Sequence, residues 1–207
     1  MTIDRELIEN LDWDKVDGLV PAVVQHARDG RVLMLGYMNR EALEKTVETR
    51  WVTFYSRSRR SLWTKGETSG NRLHLEQLYS DCDRDTVLVL ADPRGPTCHL
   101  GTTTCFGELD AVGAGFLAQL AGTVDRRADA GDADQSYTAR LLNAGVERCA
   151  QKVGEEGVEV ALAAVAGDAD KLASESADLL YHLLVCLRAG GSELGAVIDE
   201  LKARHRS

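Results

Sequence analysis

The chain has 207 residues, 44% of them hydrophobic, and a formal net charge of −9 at pH 7. This length allows one large domain or two small ones, and the hydrophobic fraction excludes a wholly disordered chain. No apolar run approaches the ~20 residues of a membrane span, and we expect no secretory signal ahead of the acidic start. The negative net charge excludes a general nucleic-acid binder, which needs a basic surface. Five cysteines then favour free thiols, metal ligands or a nucleophile in a reducing cytoplasm over a disulfide framework.

Composition divides the chain into two regimes. Residues 1–107 hold 8 of the 11 aromatic residues, all 3 prolines and only 4 alanines, whereas residues 108–207 hold 20 alanines and no proline. The net charge is −2 in the first part and −7 in the second. We expect an α+β domain over residues 1–110, with mixed or antiparallel strands and a helix, and an all-α helical bundle over residues 111–207.

The first half is predicted to contain strands and one helix. Two β-rich runs flank Asp29 and Gly30, a pair typical of hairpin turns, and Asn39 is a candidate N-cap of the helix that follows. The predicted strands are residues 19–27, 31–38, 51–56, 72–82 and 86–91, with the helix at 40–49, a long polar loop at 58–71 and a turn at 93–96.

The first candidate site lies at the end of the predicted strand 72–82, where aspartates alternate with Cys82 and Arg84. Alternate side chains of an extended chain share a face, so Asp81, Asp83 and Asp85 are expected on one face and Cys82 on the other. Three carboxylates at such short distances repel one another unless a cation lies among them, and carboxylate oxygens are suitable ligands for Mg²⁺. An EF-hand is excluded, because its sixth position would be Thr86 instead of glycine. A solvated acidic turn remains the alternative.

Cys82, Cys98 and Cys105 offer three thiolates within 24 residues. Three such ligands leave the fourth position of a tetrahedral zinc open to water, whose pKa then falls towards ~7. His99 is a candidate proton carrier or fourth ligand, with an ordinary loop histidine as the alternative. The other two cysteines, Cys149 and Cys186, lie on predicted helices and are expected to be small core residues.

Residues 54–71 combine cations, hydroxyls, glycines and aromatic rings, a mixture that binds phosphate and stacks a base. The stretch lacks a P-loop pattern. A polar surface loop, or an RNA contact made by basic and aromatic residues, stays open as an alternative. The candidate substrate-binding residues are Arg57, Trp63, Lys65, Gly66, Thr68, Ser69 and Asn71.

Residues 62–71, 81–85 and 98–106 resemble the signature of phosphoribosyl-AMP cyclohydrolases, and the resemblance runs from about residue 19 to 106. It implies opening of the adenine ring of phosphoribosyl-AMP by zinc hydroxide in histidine biosynthesis. It also implies a homodimer that shares each zinc site between two chains, and a role for His99 in proton transfer. The implied ligands are Cys82, Cys98 and Cys105 for zinc, and Asp81, Asp83 and Asp85 for magnesium.

The second half is predicted to be helical over residues 114–127, 137–143, 146–166, 170–188 and 192–203. Polar side chains with i, i+3 and i+4 spacing lie on two of these helices, beside an apolar stripe for packing at Val158, Leu162 and Val165. If the two helices pair, their carboxylates converge on one or more hard cations. Solvated acidic faces, and a plain ion pair between Lys152 and Glu156, are the alternatives. The polar residues are Lys152, Glu155, Glu156 and Glu159 on the first helix and Glu175, Asp178 and His182 on the second.

Residues 151–159 and 175–182 resemble phosphoribosyl-ATP pyrophosphohydrolases, an all-helical group of MazG-like type, over about residues 116–204. This resemblance implies release of pyrophosphate from phosphoribosyl-ATP, with Lys152 as a phosphate contact. Glu155 and Glu156 are candidates for the carboxylate that positions or deprotonates water. The implied magnesium ligands are Glu155, Glu156, Glu159, Glu175 and Asp178.

The two halves are therefore expected to catalyse consecutive steps, the C-terminal half acting first. We expect a cytoplasmic homodimer with Zn²⁺ and Mg²⁺ as cofactors and small-molecule substrates, and neither nucleic acid nor a membrane as a partner. Two alternatives remain: only one half is active, or the chain is a zinc-containing RNA-binding module fused to a helical dimerisation domain.

Overall fold

The computed structural model describes residues 2–131 and 136–205. It divides the chain into two compact units, Met1–Phe116 and Leu117–Ser207. The first combines a sheet with helices and the second is helical, which confirms the predicted fold class. The first unit contains α1 (Thr2–Asn10), β1 (Val20–His26), β2 (Val32–Met38), α2 (Arg40–Thr49), β3 (Thr53–Ser56), β4 (Ser61–Thr64), β5 (Arg72–Ser80) and β6 (Val87–Arg94).

The main sheet has the strand order β2-β1-β6-β5, in which β1 and β6 run parallel and the other neighbours antiparallel. The predicted hairpin between β1 and β2 is confirmed, with Gly30 at φ 76° in its turn. Asn39 caps α2 as predicted, because its side chain accepts the amide hydrogen of Ala42 at 2.9 Å. Helix α1 was not predicted from the sequence.

The predicted loop over residues 58–71 is wrong in part, because β4 pairs with β3 as a separate two-stranded sheet. The register places Trp63 opposite Phe54, and their rings pack with centroids 5.0 Å apart. The predicted turn at residues 93–96 also begins too early, since Arg94 still pairs with Arg72 in the main sheet.

The core of the first unit lies between the sheet and the two helices, around fully buried Leu33, Leu43 and Phe54. Gly36 on β2 makes room for Phe54, because a Cβ atom there would lie 2.4 Å from the aromatic ring. At ~25 cal/mol per Å² of apolar surface, burying such side chains is the main favourable term in forming this unit.

The second unit contains α3 (Gly115–Ala130), α4 (Tyr137–Asn143), α5 (Val146–Ala166), α6 (Ala169–Ala189) and α7 (Leu194–His205), so the five predicted helices are confirmed. Helices α5 and α6 pack together and are joined by Gly167, at φ 70°, and Asp168, which caps α6. Cys149 is fully buried and Cys186 packs against the same core, as expected. Within the described ranges, no helix combines the length and apolar character that a bilayer crossing requires.

The predicted apolar stripe of α5 does not pack inside the described part of the chain. Val158, Leu162 and Val165 are 60%, 64% and 89% exposed. The side of α5 that faces α6 is instead the one carrying Glu156 and Ala163, which are both buried.

Candidate active sites

Three aspartates converge in the turn between β5 and β6. Strand β5 ends at Ser80, so the prediction that these residues alternate along an extended strand is wrong. The Asp81 carboxylate accepts the amide hydrogens of Asp85 and Thr86, each at 3.0 Å, and this closes the turn. One oxygen from each of Asp81, Asp83 and Asp85 nevertheless lies within 4.8 Å of the others. The three carboxylates of this acid group are therefore brought together by the turn that Asp81 closes, and not by alternation along an extended strand.

Lys15 lies against this acid group and forms ion pairs with Asp83 and Asp85. Hydrogen bonds from the ammonium lower the pKa of both carboxyls, and they raise the pKa of Lys15 in return. A neighbouring backbone bond fixes the approach, since the Asp12 amide donates to the Arg84 carbonyl at 2.7 Å. Sequence reasoning missed Lys15, because it lies 68 residues before Asp83 and no local pattern links them.

Cys98 and Cys105 form a thiol pair with unequal acidities. The pKa of Cys98 is lowered by the Leu100 backbone amide and then by the Thr102 side chain, and the Cys105 thiol adds to this. The pKa of Cys105 is raised by partial desolvation of its sulfur and by the charge of Cys98. Cys98 is therefore the more acidic thiol of the pair and Cys105 the less acidic one.

The loop that carries the pair is held by backbone and side-chain hydrogen bonds. The Cys98 amide donates to the Thr102 carbonyl at 3.0 Å, and the Cys105 amide donates to Leu33 on β2 at 2.8 Å. Glu108 accepts both the amide and the hydroxyl of Thr103, at 2.8 and 3.0 Å. Both thiols are therefore placed by a loop anchored to the edge strand of the main sheet.

Cys82 and His99 lie differently from the thiol pair. Cys82 is exposed in the acidic turn, 3.9 Å from an oxygen of Asp83. In the described residues the three cysteines do not form a group of ligand atoms within 4.8 Å. His99 is exposed, and its Nδ1 lies 3.9 Å from the Cys98 sulfur. Of the residues predicted to form the zinc site, Cys105 and His99 therefore lie beside Cys98, and Cys82 does not join them in a group of ligand atoms.

Only some of the predicted substrate-binding residues have contacts that bear on this site. Arg57 is exposed and stacks over Tyr37 at 3.9 Å, and Trp63 is partly buried against the core. Lys65 is close enough to Cys105 for its charge to oppose the rise of the thiol pKa. The polar stretch thus meets the thiol pair at Lys65.

The remaining members of the stretch form a turn after β4. At Gly66, a Cβ atom would lie 2.2 Å from the Asn71 carbonyl, and φ is +75°, so only glycine fits this backbone. Ser69 accepts the Asn71 amide at 3.3 Å, and Thr68 is exposed. The Asn71 side chain lies against Gly95, where a Cβ would lie 2.4 Å from its oxygen.

A second acid group spans α5 and α6. One oxygen from each of Glu156, Glu175 and Asp178 lies within 4.8 Å of the others. Glu159 contacts Glu175, and the charge of Glu175 together with their hydrogen bond raises the pKa of Glu159. Helix pairing therefore brings together four of the five carboxylates predicted from spacing.

Glu155 and Lys152 occupy the other side of this group. Lys152 forms ion pairs with Glu155 at 2.9 Å and with Glu156 at 2.5 Å, and these contacts raise its pKa. Glu155 also faces Arg148 at 3.6 Å, with 40% of its side chain exposed, and lies outside the group of three. The ion pair of Lys152 and the carboxylate cluster are thus both present, and they share Glu156.

His182 borders the acid group from α6. It is 6% exposed, and its Nδ1 lies 2.9 Å from the Asp178 carbonyl and 3.6 Å from an oxygen of Glu156. Its Nε2 lies 3.2 Å from the Tyr137 hydroxyl on α4. Helical spacing placed His182 on the acidic face, but nothing in the sequence indicated the contact with Tyr137.

Both candidate sites fall within regions that match known protein families. The model of the phosphoribosyl-AMP cyclohydrolase family matches residues 34–107, and that of the phosphoribosyl-ATP pyrophosphohydrolase family matches residues 117–205. The chain is 55% identical over 204 residues to the histidine biosynthesis bifunctional protein HisIE of Photobacterium profundum, covering 96% of this chain and 98% of the relative. The HisIE proteins of Escherichia coli and Salmonella typhimurium are 56% and 55% identical over 196 residues, covering 95% of this chain and 96% of each relative.

The chain belongs to the HisIE family. HisIE chains join a cyclohydrolase domain and a pyrophosphohydrolase domain of histidine biosynthesis, and both domains are present here in that order. The predicted bifunctional hydrolase is confirmed at this level. The acidic turn and the thiol pair lie within the cyclohydrolase match, and the acid group of α5 and α6 lies within the pyrophosphohydrolase match.

Proposed function

We propose that the domain over residues 111–207 releases pyrophosphate from phosphoribosyl-ATP at the acid group of α5 and α6, and that the domain over residues 1–110 then opens the adenine ring at the thiol pair. The observation that carries this proposal is the position of each cluster inside the family match whose chemistry it suits.

Carboxylate donors and a phosphate substrate make Mg²⁺ the fitting cation of the pyrophosphohydrolase site, held by Glu156, Glu159, Glu175 and Asp178. When bound, magnesium neutralises charge on the phosphates. Glu155 stands next to Lys152 and Arg148, and is the fifth proposed ligand or a base for water. Lys152 forms ion pairs with Glu155 and Glu156, and its ammonium is proposed to donate to a phosphate oxygen beside them.

Thiolate donors make Zn²⁺ the fitting cation of the cyclohydrolase site, with Cys98 and Cys105 as two ligands and Cys82 as the third. When bound, zinc supplies an acidic water for attack on the ring. His99 lies beside Cys98 and is proposed to carry a proton. The acidic turn, with Asp81, Asp83 and Asp85, is proposed to hold Mg²⁺ for the substrate phosphate.

The proposed substrate-binding residues near the zinc site are two cations, a glycine turn and several polar or aromatic side chains. Lys65 lies close enough to Cys105 for its charge to act on that thiol, and Arg57 is exposed on the turn between β3 and β4. Gly66 is proposed as a backbone contact, in a turn with a positive φ that its lack of a side chain allows. The remaining proposed contacts are Trp63, Thr68, Ser69 and Asn71.

A homodimer is the proposed assembly. Cys82 is separate from the other two cysteines in the described part of the chain, as expected if a second copy completes the site. The exposed apolar side chains of Val158, Leu162 and Val165 on α5 provide a surface that association would bury. We also propose that the cytoplasm is its location and that neither nucleic acid nor a membrane is a partner.

The test is incubation of the full chain with phosphoribosyl-ATP, Mg²⁺ and Zn²⁺, following pyrophosphate and the ring-opened product together. We expect pyrophosphate to appear first and the ring-opened product to follow. Pyrophosphate without ring opening, when phosphoribosyl-AMP is also supplied, would show that only the C-terminal domain is active. Binding to single-stranded RNA that weakens steeply with salt, without turnover of either nucleotide, would contradict the proposal.

A further inference from the structure

His182 connects the carboxylates of the second acid group to a helix that supplies none of them. A carbonyl oxygen only accepts hydrogen bonds, so the 2.9 Å contact with Asp178 requires the proton on Nδ1. In the tautomer with its proton on Nδ1, Nε2 accepts from the Tyr137 hydroxyl at 3.2 Å. Both ring nitrogens of this buried side chain are therefore hydrogen-bonded, Nδ1 to the backbone of α6 and Nε2 to a side chain of α4.

The same ring edge faces Glu156. Nδ1 lies 3.6 Å from Oε1 of Glu156, beyond hydrogen-bond distance but close enough for its N–H dipole to favour a carboxylate. Lys152 contacts that same oxygen at 2.5 Å. Glu156 is 5% exposed, so Lys152 and His182 are its main polar neighbours on this side of the group.

Helix α4 is joined to α6 by two adjacent hydrogen bonds. Tyr137 donates to His182, and the Thr138 hydroxyl contacts the Tyr181 hydroxyl at 2.7 Å. The Thr138 contact involves none of the carboxylates, although the Tyr181 ring itself packs edge-on against His182, with centroids 5.1 Å apart. Its removal can therefore be compared with removal of the Tyr137 contact, which involves the histidine that borders the acid group.

We propose that His182 is a positioning residue of the pyrophosphohydrolase site, held by Tyr137, and that it sets the geometry in which Glu156 and Asp178 bind a divalent cation. This inference rests on the proposed function of the acid group. Carboxylate ligands of metals commonly depend on such partners, whose loss weakens metal affinity about 10- to 100-fold. Neither residue is proposed to touch the substrate.

Three substitutions and one control separate positioning from packing. In His182→Asn, the amide nitrogen replaces Nδ1 and still donates to Asp178 but the Tyr137 bond is lost, so cation affinity is expected to fall only as far as in Tyr137→Phe. In His182→Leu that donor is lost, and affinity is expected to fall about 10- to 100-fold. Tyr137→Phe removes only the hydroxyl, and an intermediate loss is expected. Tyr181→Phe is the matched control, because it removes the neighbouring hydrogen bond and keeps the ring that packs against His182.

Binding of Mn²⁺ is measured by electron paramagnetic resonance on the full chain, in an Asp83→Asn/Asp85→Asn background that disables the other acid group. The Mg²⁺ dependence of pyrophosphate release is measured alongside. For His182→Leu and Tyr137→Phe, the Mg²⁺ concentration for half-maximal rate is expected to rise while the rate at saturating Mg²⁺ largely recovers. Melting temperatures without metal report purely structural damage.

The outcomes separate this inference from the proposed function. If Glu156→Gln leaves Mn²⁺ binding unchanged, the proposed function of the acid group fails. If Glu156→Gln abolishes binding but His182→Leu and Tyr137→Phe do not weaken it, positioning by His182 is refuted. Equal weakening by Tyr181→Phe and Tyr137→Phe would also refute it, because helix packing would then account for both.

Discussion

The ammonium of Lys15 and the carboxylate of Asp85 form an ion pair across the acidic turn, and the same ammonium reaches Asp83. Lys15 thus occupies, with a tethered positive charge, part of the space around the group to which we assign Mg²⁺. The Lys15 ammonium and a divalent cation therefore compete for the same carboxylate oxygens of Asp83 and Asp85.

Lys15→Met is expected to tighten divalent-cation binding at the acidic turn by about two- to fivefold, the range of a surface ion pair. Mn²⁺ binding in a Glu156→Gln background measures this, because the helical acid group is then disabled. Lys45→Met, at an exposed lysine of α2, is the control and should have no effect. Weaker binding in Lys15→Met would mean that Lys15 organises the acid group instead of opposing the metal.

Cys98→Ser is expected to remove bound zinc and ring opening while pyrophosphate release from phosphoribosyl-ATP persists, since one of the two paired sulfur ligands is lost. Zinc content by mass spectrometry and the two product assays measure this. Cys186→Ser, in the helical unit, should leave the zinc content unchanged. Ring opening at the normal rate in Cys98→Ser would refute the zinc assignment.

Coexpression of Cys82→Ser and Cys98→Ser chains is expected to restore about a quarter of the zinc sites, if two chains share each site and pair at random. Each mixed dimer would hold one intact site, formed by Cys82 of one chain and Cys98 and Cys105 of the other. Ring opening and zinc content of the coexpressed protein measure the recovery. Absence of recovery in dimers that do form would show that one chain supplies all three ligands.

Glu156→Gln is expected to lower pyrophosphate release about 100-fold or more, because the buried carboxylate shared by Lys152 and the acid group loses its charge. Ring opening of supplied phosphoribosyl-AMP should continue at the normal rate. Glu147→Gln, an exposed acid in the first turn of α5, is the matched control. Equal loss of both activities in a folded protein would contradict two independent sites.

The stability of the first unit is expected to fall as the pH is lowered through 6.5, because burial first, and then nearby arginine charges, lowers the pKa of His26 below that ordinary value. Nδ1 of His26 accepts the amide hydrogens of Arg28 and Asp29, each at 3.2 Å, and protonation ends this role. In this pH range the unfolded chain binds more protons than the folded one, so the free energy of unfolding rises with pH.

Urea unfolding at several pH values measures the effect of His26. Tryptophan fluorescence reports on this unit alone, because all three tryptophans belong to it. His26→Asn keeps an acceptor at the Nδ1 position but does not titrate, so its stability should vary less between pH 5 and 7. The same pH dependence in the variant would assign the effect to other groups.

Much of the fold was predictable because its signals are local. Asn39 caps α2 through a bond to a residue three positions away, and Asp168 starts α6 in the same manner. The acidic spacing of α5 and α6 likewise predicted a shared carboxylate face, because helical periodicity fixes which side chains are neighbours. The prediction for the acidic turn placed the right residues together for the wrong reason, since Asp81 closes a turn by accepting two amides.

The amino-acid sequence by itself determined the two-domain order, most helices and strands, and the residue types that cluster at both candidate sites. Only the tertiary structure decided that Glu156 is buried with the acid group while Glu155 faces Arg148, although spacing treats the two alike. It also decided that Lys15 meets the acidic turn and that Tyr137 holds His182. These pairs are 45 or more residues apart, and packing of whole elements, which no local pattern encodes, brings them together.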